Sequence, residues 1–108
     1  MSRSNKYIWP DNVVFEPDAE KDFAALDNSQ RLVVFKAILK VASNPKPRPE
    51  GYGKPLSGNL AGCCKIKLRD YGIRIIYRLA PPDSDNMDVI IIGMRSDNEV
   101  YEIAAERL

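Results

Sequence analysis

The stretch Cys63-Cys64-Lys65-Ile66-Lys67-Leu68-Arg69-Asp70-Tyr71-Gly72-Ile73-Arg74-Ile75-Ile76-Tyr77-Arg78-Leu79 decides the fold. Cys64, Ile66 and Leu68 alternate with Lys65, Lys67 and Arg69, the period of a strand with one buried and one wet face. After a turn at Asp70-Tyr71, the run from Ile73 to Leu79 is β-branched and aromatic, which predicts an antiparallel hairpin. A short turn there sets Leu68 opposite Ile73, Ile66 opposite Ile75 and Cys64 opposite Tyr77. The other face then carries Lys67 opposite Arg74, with Lys65 and Arg69 beside them. Like charges facing each other across a sheet disfavour pairing by ~0.2–1 kcal/mol. Neither strand supplies a carboxylate to this cluster, so an outside anion is expected.

Outward from the hairpin, the remaining elements follow from periodicity. Val13-Val14-Phe15 before Pro17 predicts a short first strand, and Asp18–Leu26 a short helix with Ala19, Phe23 and Leu26 at helical spacing. Asp18 and Glu20 sit early, where a helix N-terminus favours negative charge. Asp27-Asn28-Ser29 supplies a turn and cap for a helix over Gln30–Ser43, whose stripe is Leu32, Phe35, Leu39 and Ala42, with Val34, Ile38 and Val41 beside it. Three prolines at alternate positions, Pro45, Pro47 and Pro49, make the next segment a basic, stiff connector. Met87–Met94 is a nearly unbroken apolar run, the signature of a strand buried on both faces and central in its sheet. Asn98–Leu108 predicts a terminal helix. The order is β-α-α-β-β-β-α: an α+β fold with a small antiparallel sheet, two N-terminal helices and one C-terminal helix.

Length and composition agree with one domain. At 108 residues, 44% hydrophobic and 29% charged, the chain can bury a single core. Residues 1–9 read as a tail with an aromatic anchor, and 10–108 as the domain. No apolar run approaches the roughly 18 residues of a membrane span, and the start leads into no signal-peptide core, so a cytoplasmic protein without membrane contact is expected. Cys63 and Cys64 are neighbours pointing to opposite faces, which ordinary disulfide geometry does not allow, so both are expected reduced.

Net charge is only +1, yet it is uneven. Between Lys46 and Arg78 eight basic residues face only Glu50 and Asp70, a local charge of +6, while the remainder of the chain carries −5. One face is therefore expected to be positive. Histidine is absent, which excludes histidine-based acid/base cleavage and Ser-His or Cys-His nucleophiles. Asp83, Asp85 and Asp88 do not make a calcium loop, since Asp88 stands where the loop needs glycine. Around Gly53-Lys54 the first glycine and the Ser/Thr of a phosphate-binding P-loop are missing. No metal site and no cofactor are expected. Lys65, Lys67, Arg69 and Arg74, with Arg95 and Tyr101 arriving from the last strand and helix, read either as a solvated basic face or as a phosphate-binding surface.

Two segments carry a resemblance: K-P-L-S-G-N-L-A-G-C-C-K-I-K-L-R-D-Y-G-I-R-I-I-Y from Lys54, and I-I-I-G-M-R-S-D-N-E-V-Y-E-I-A-A-E-R-L from Ile90. With K-x-K-x-R followed by G-x-R, and a second G-x-R with V-Y ending six residues after its arginine, the chain resembles the RelE/ParE toxin superfamily from about Phe15 to Leu108. Within that superfamily it looks like the RelE-type messenger-RNA endonucleases of toxin–antitoxin pairs. The resemblance implies a RelE-like fold, cleavage residues at Lys65, Lys67, Arg74, Arg95 and Tyr101, and RNA held by Arg69. Lys54 and Arg78, from the same basic third, join it as RNA-binding candidates. It further implies metal-independent cleavage of messenger RNA in the ribosomal A site, no small-molecule cofactor, and silencing by a cognate antitoxin.

Cleavage by attack of the RNA 2′-hydroxyl on the adjacent phosphate needs a base, charge neutralisation at phosphorus and a proton for the leaving oxygen. Arginine cannot be the base. Lys67, among cations, is expected to have its charged form disfavoured, so that either Lys67 or Tyr101 can serve. Arg74 would take the phosphate in bidentate fashion and Arg95 support the leaving group. Ser96 departs from the glutamate that many relatives carry after the second G-x-R. The ParE branch, which shares the fold and poisons DNA gyrase, generally lacks the full lysine and tyrosine set; a third alternative is a nonenzymatic RNA-binding module.

Overall fold

The computed structural model describes residues 7–94 and 96–108. Strand β1 (Val13–Phe15) is followed by helices α1 (Pro17–Ala25) and α2 (Asn28–Ala42), then strands β2 (Lys54–Pro55), β3 (Cys63–Leu68), β4 (Ile73–Leu79) and β5 (Met87–Gly93), and helix α3 (Asp97–Arg107). The sheet order is β1-β5-β4-β3-β2.

The hairpin register is the one its periodicity predicts: Leu68 pairs Ile73, Ile66 pairs Ile75, Lys67 pairs Arg74 and Cys64 pairs Tyr77. Its turn is a single 3-10 turn over Arg69–Tyr71 closed by Gly72 at φ 65°, a left-handed conformation that costs glycine nothing. Three features differ from the expected sheet. A two-residue strand, β2, pairs the outer edge of β3. The first strand runs parallel to β5, so the sheet is mixed. The middle strand is β4, not β5, although β5 is interior and buried on both faces.

Helix caps explain the helix bounds. Pro17 opens α1, where its missing N–H costs nothing and its fixed φ suits the helix. Asp27 caps α2 through a reciprocal capping box with Gln30, and this hydrogen bonding holds the Asp27 carboxyl below its ordinary range. Within α2 the buried residues are Val34, Ile38, Val41 and Ala42, while Leu32 and Leu39 are exposed. The stripe led by Leu32 and Leu39 is thus the wrong one of two. An apolar helix with hydrophobics on adjoining stripes does not by its own periodicity say which stripe meets the sheet.

Helices α1 and α2 cover one face of the sheet, with Val34, Ile38, Ile75, Tyr77, Met87 and Val89 at its centre. Tyr7 and Trp9 pack at this core's rim: Trp9 lies 4.8 Å from Phe15 and 5.0 Å from Phe35 between ring centroids, and Tyr7 4.9 Å from Phe35. The opposite face carries α3, whose Val100 and Ala104 meet Ile76, Ile90 and Ile91. Cys63 and Cys64 are free, buried, and divided between these two cores.

Two long-range ties position the layers. The proline-rich connector is pinned from beneath by Tyr77, whose hydroxyl donates to the Pro45 carbonyl at 2.8 Å. Gly53 leaves room for this contact, because a Cβ there would come within 2.5 Å of the Tyr77 hydroxyl. The second tie caps a bare sheet edge. Strand β1 pairs β5 only up to Val89, leaving the Ile90 carbonyl and the Ile92 N–H without a neighbouring strand. Arg107 of α3 donates to the Ile90 carbonyl at 2.8 Å, and Asp22 of α1 accepts from the Ile92 N–H at 3.0 Å. Arg107 and Asp22 also bond each other at 2.7 Å. The clamp fixes α3 across the sheet. Among the described residues no helix is long and apolar enough to cross a membrane.

Candidate active site

The site is built where α3 stops covering the sheet. Alternation on β3 sends Lys65 and Lys67 to the α3 side, and pairing with β4 adds Arg74 to the same side. Lys54, the Cα partner of Lys65 on β2, is exposed on that face as well. From above, Ser96 caps α3 by accepting from the Glu99 N–H at 3.4 Å, which makes Asp97 the first helical residue. One turn on, Tyr101 reaches Lys65, whose ammonium donates to its hydroxyl at 2.8 Å and lies 5.5 Å from its ring centroid.

The outside anion expected at this cluster has an internal rival. Asp97 Oδ1 accepts from Arg74 Nε, and Oδ2 lies 3.5 Å from Lys67 Nζ and 3.9 Å from Lys65 Nζ. Three cations from two strands therefore share one carboxylate, and the four groups together keep a charge of +2. The Arg74 hydrogen bond, followed by the charges of Lys65, Lys67 and Arg74, holds the Asp97 carboxyl below the ordinary carboxylate range against the opposing effect of burial. Lys67 is consequently not in the purely cationic surroundings that its reading as a base assumed. Lys65 is nearly buried at 9% exposure, whereas Asp97 retains 34% and stands at the mouth of the site.

At the hairpin tip, Arg69 is exposed and with Lys67 and Arg74 lines a depression of about 380 Å³. The structure thus brings Lys54, Lys65, Lys67, Arg74 and Tyr101 onto one face, with Arg69 at the hairpin tip beside Lys67 and Arg74. Arg78 does not belong with them. It pairs Cys63, four residues along the hairpin from the Lys67–Arg74 row, about 13 Å away at ~3.3 Å per residue. There its guanidinium bonds Asp88 at 3.1 Å and lies 3.9 Å from Glu16. Arg95 lies outside the described residues. Among the described residues no three His, Cys, Asp or Glu side chains gather as metal ligands do.

Asp97 is the residue that reading by strands missed. Its contacts to Lys67 and Arg74 span 30 and 23 positions. One local signal was present: Ser96-Asp97-Asn98-Glu99 has the spacing of a capping box, which begins the helix at Asp97 rather than Asn98.

The chain is 31% identical over 97 residues to a RelE-like toxin protein of Escherichia coli, an alignment covering 89% of this chain and 95% of the relative. It is 30% identical over 94 residues to the mRNA interferase toxin RelE of Escherichia coli strain K12, covering 87% and 93%. The chain belongs to the RelE toxin family. No family model matches it. The RelE fold extends to three dimensions: an E. coli RelE variant solved with a peptide of the antitoxin RelBc superposes with a TM-score of 0.65 at 29% identity, over 89% of this chain and 95% of that one. In this RelE-family chain the two N-terminal helices, the sheet and the C-terminal helix are those that the resemblance implied.

Proposed function

We propose that this RelE-family chain is the toxin of a toxin–antitoxin pair and cleaves messenger RNA in the ribosomal A site, acting in the cytoplasm where message is translated. The observation that carries this reading is the convergence of Lys65, Lys67 and Arg74 on one anion, with Tyr101 hydrogen-bonded to Lys65 beside them. A relative of the same fold is named an mRNA interferase, and another was solved with its antitoxin, which supports both the chemistry and the partner.

The reaction breaks the bond from phosphorus to the 5′-oxygen of the following nucleotide and forms one from the 2′-oxygen to phosphorus, leaving a 2′,3′-cyclic phosphate and a 5′-hydroxyl. The 2′-hydroxyl gives up a proton and the leaving oxygen gains one. Arg74 and Lys67 face the non-bridging oxygens and stabilise the charge that grows there in the transition state. The arginine fork suits two phosphate oxygens at once. Tyr101, held by Lys65, exchanges the proton at the reacting oxygen, and Arg95 supports the departing one. Arg69 and Lys54 track the flanking phosphates along the same face.

Purified protein added to translating ribosomes in EDTA is expected to cut message within codons, and Arg74→Ala or Arg95→Ala to abolish the cut. Intact message with the unaltered protein overturns the nuclease reading. Intact message together with gyrase-dependent DNA breaks would place the chain with the gyrase poisons instead. A cognate antitoxin predicts that a co-expressed reading frame from the adjoining gene co-purifies with the chain and blocks the cut.

A further inference from the structure

Among the described residues the Asp97 carboxylate makes no hydrogen bond to its own helix. The cap is Ser96, whose hydroxyl accepts from Glu99, and among the described residues the partners of the Asp97 carboxylate are Lys65, Lys67 and Arg74 across the gap on β3 and β4. Both of its oxygens are engaged, one by the arginine and the other by the two lysines. Two non-bridging oxygens of a phosphodiester would need the same partners. The carboxylate is also one-third exposed and can turn toward water without dismantling a helix cap or a core.

We propose that Asp97 is a built-in substitute for the RNA phosphate, closing the cationic site in the free protein, and that RNA must displace it to bind. The inference rests on the phosphodiester-binding reading of this site. Two physical effects keep the carboxylate in place. It is tethered, so its return to the cations is intramolecular and does not depend on its concentration. It also sits at the first position of α3, where the helix dipole favours an anion. With the Arg74 bond holding it ionised at neutral pH, the site opens by exchange of one anion for another rather than by protonation.

The consequence is a tax on affinity. If the closed arrangement is favoured about tenfold, free RNA binds about tenfold more weakly than the bare cations would allow. RNA presented on the ribosome, already positioned and locally concentrated, meets that tax more easily than RNA in solution. Asp97 thereby discriminates between the two without touching a base.

The test uses a short RNA with 2′-O-methyl groups, which cannot be cleaved, and no ribosomes. Asp97→Asn keeps the shape and removes the charge. It is expected to bind this RNA about tenfold tighter than the unaltered protein, a gain of 1.4 kcal/mol, with a steeper loss of affinity as salt is raised, and Arg74→Ala added to it should erase the gain. Equal or weaker binding by a folded Asp97→Asn protein overturns the proposal and makes Asp97 a residue that only holds the cations in position. Should the variant fail to fold, the unaltered protein serves. The carboxyl carbon resonance of Asp97, followed by NMR as the methylated RNA is added, is expected to move to that of a solvated aspartate, and a bound state without that movement overturns the proposal. Cleavage on ribosomes is a separate readout. Its absence alongside the tenfold gain sinks the nuclease reading and leaves the exchange standing, and its presence without the gain does the reverse.

Discussion

The two ends of the β3–β4 hairpin, on the face that α3 shares, hold opposite charge arithmetic. At the tip three cations share the single carboxylate of Asp97. At the base, about 13 Å away, a single arginine, Arg78, faces two carboxylates, Asp88 and Glu16. The acids respond in opposite directions. Asp97 is pushed down by its cations, while Glu16 is pushed up, chiefly by its hydrogen bond to Asp88, then by burial and by the charge of Asp88, with Arg78 opposing. At the base Asp88 is almost fully buried and bonded to the half-exposed guanidinium of Arg78, so the cation there is matched by acids. The tip has unspent positive charge, an exposed carboxylate that can move, and a tyrosine beside it. What separates the ends is the sign of the excess: the tip keeps positive charge at a solvent mouth, where an anionic ligand has room.

Arginine truncation is the strongest way to break this comparison. Arg74→Ala is expected to lower cleavage of ribosome-bound message at least about 100-fold, the usual consequence of removing one transition-state donor. Arg78→Ala should leave the rate within a few-fold while lowering stability by about 1–3 kcal/mol, because Asp88 stays buried without its donor. Primer extension on the message and urea unfolding read the two effects separately, and similar losses of cleavage in both variants would erase the distinction between the ends.

A smaller effect is expected at the clamp that carries α3. Asp22→Ala removes the acceptor of the Ile92 N–H and the partner of Arg107 at once, and should cost about 1–3 kcal/mol in urea unfolding. Cleavage should fall less than in Arg74→Ala, since Tyr101 and Asp97 would be displaced only through a loosened helix.

The smallest effect is in the pH dependence of the melting temperature, where the two ends have opposite signs. Asp97, held below its ordinary value of 3.8, stabilises the fold above that pH, and the contribution is lost as pH falls through its lowered folded value. Asp97→Asn should therefore flatten the acid limb of the melting curve below about pH 4. Glu16, raised above its ordinary 4.5, holds its proton more tightly when folded, so its contribution is present at acid pH and lost as pH rises through the raised value. Glu16→Gln should remove that decline while leaving the more acid limb intact. A single shared limb in both variants would contradict the opposed shifts.

How far the molecule was legible differs from residue to residue. The Lys67–Arg74 pairing and the face shared by Lys65 were readable because strand alternation and a short turn leave one register that turns Ile66, Leu68, Ile73 and Ile75 together toward the core. The parallel placement of β1 was not, because three residues carry no direction signal and only their docking on β5 supplies one. The buried stripe of α2 was ambiguous for the same kind of reason: Leu39 and Ile38 are equally apolar, and only the sheet beneath distinguishes them.

By itself, then, the sequence determined the hairpin, its register, the cap of α2 and the gathering of positive charge on one face, because each follows from backbone periodicity or from hydrogen bonds a few residues long. Tertiary structure alone decided which carboxylate meets those cations, since Asp97 arrives from a helix 23 or more positions away. It likewise decided that Arg78 is matched by Asp88 and Glu16. The fields of charges are screened over about 8–10 Å in salt water, so their pairing depends on how the layers dock and not on the order of residues along the chain.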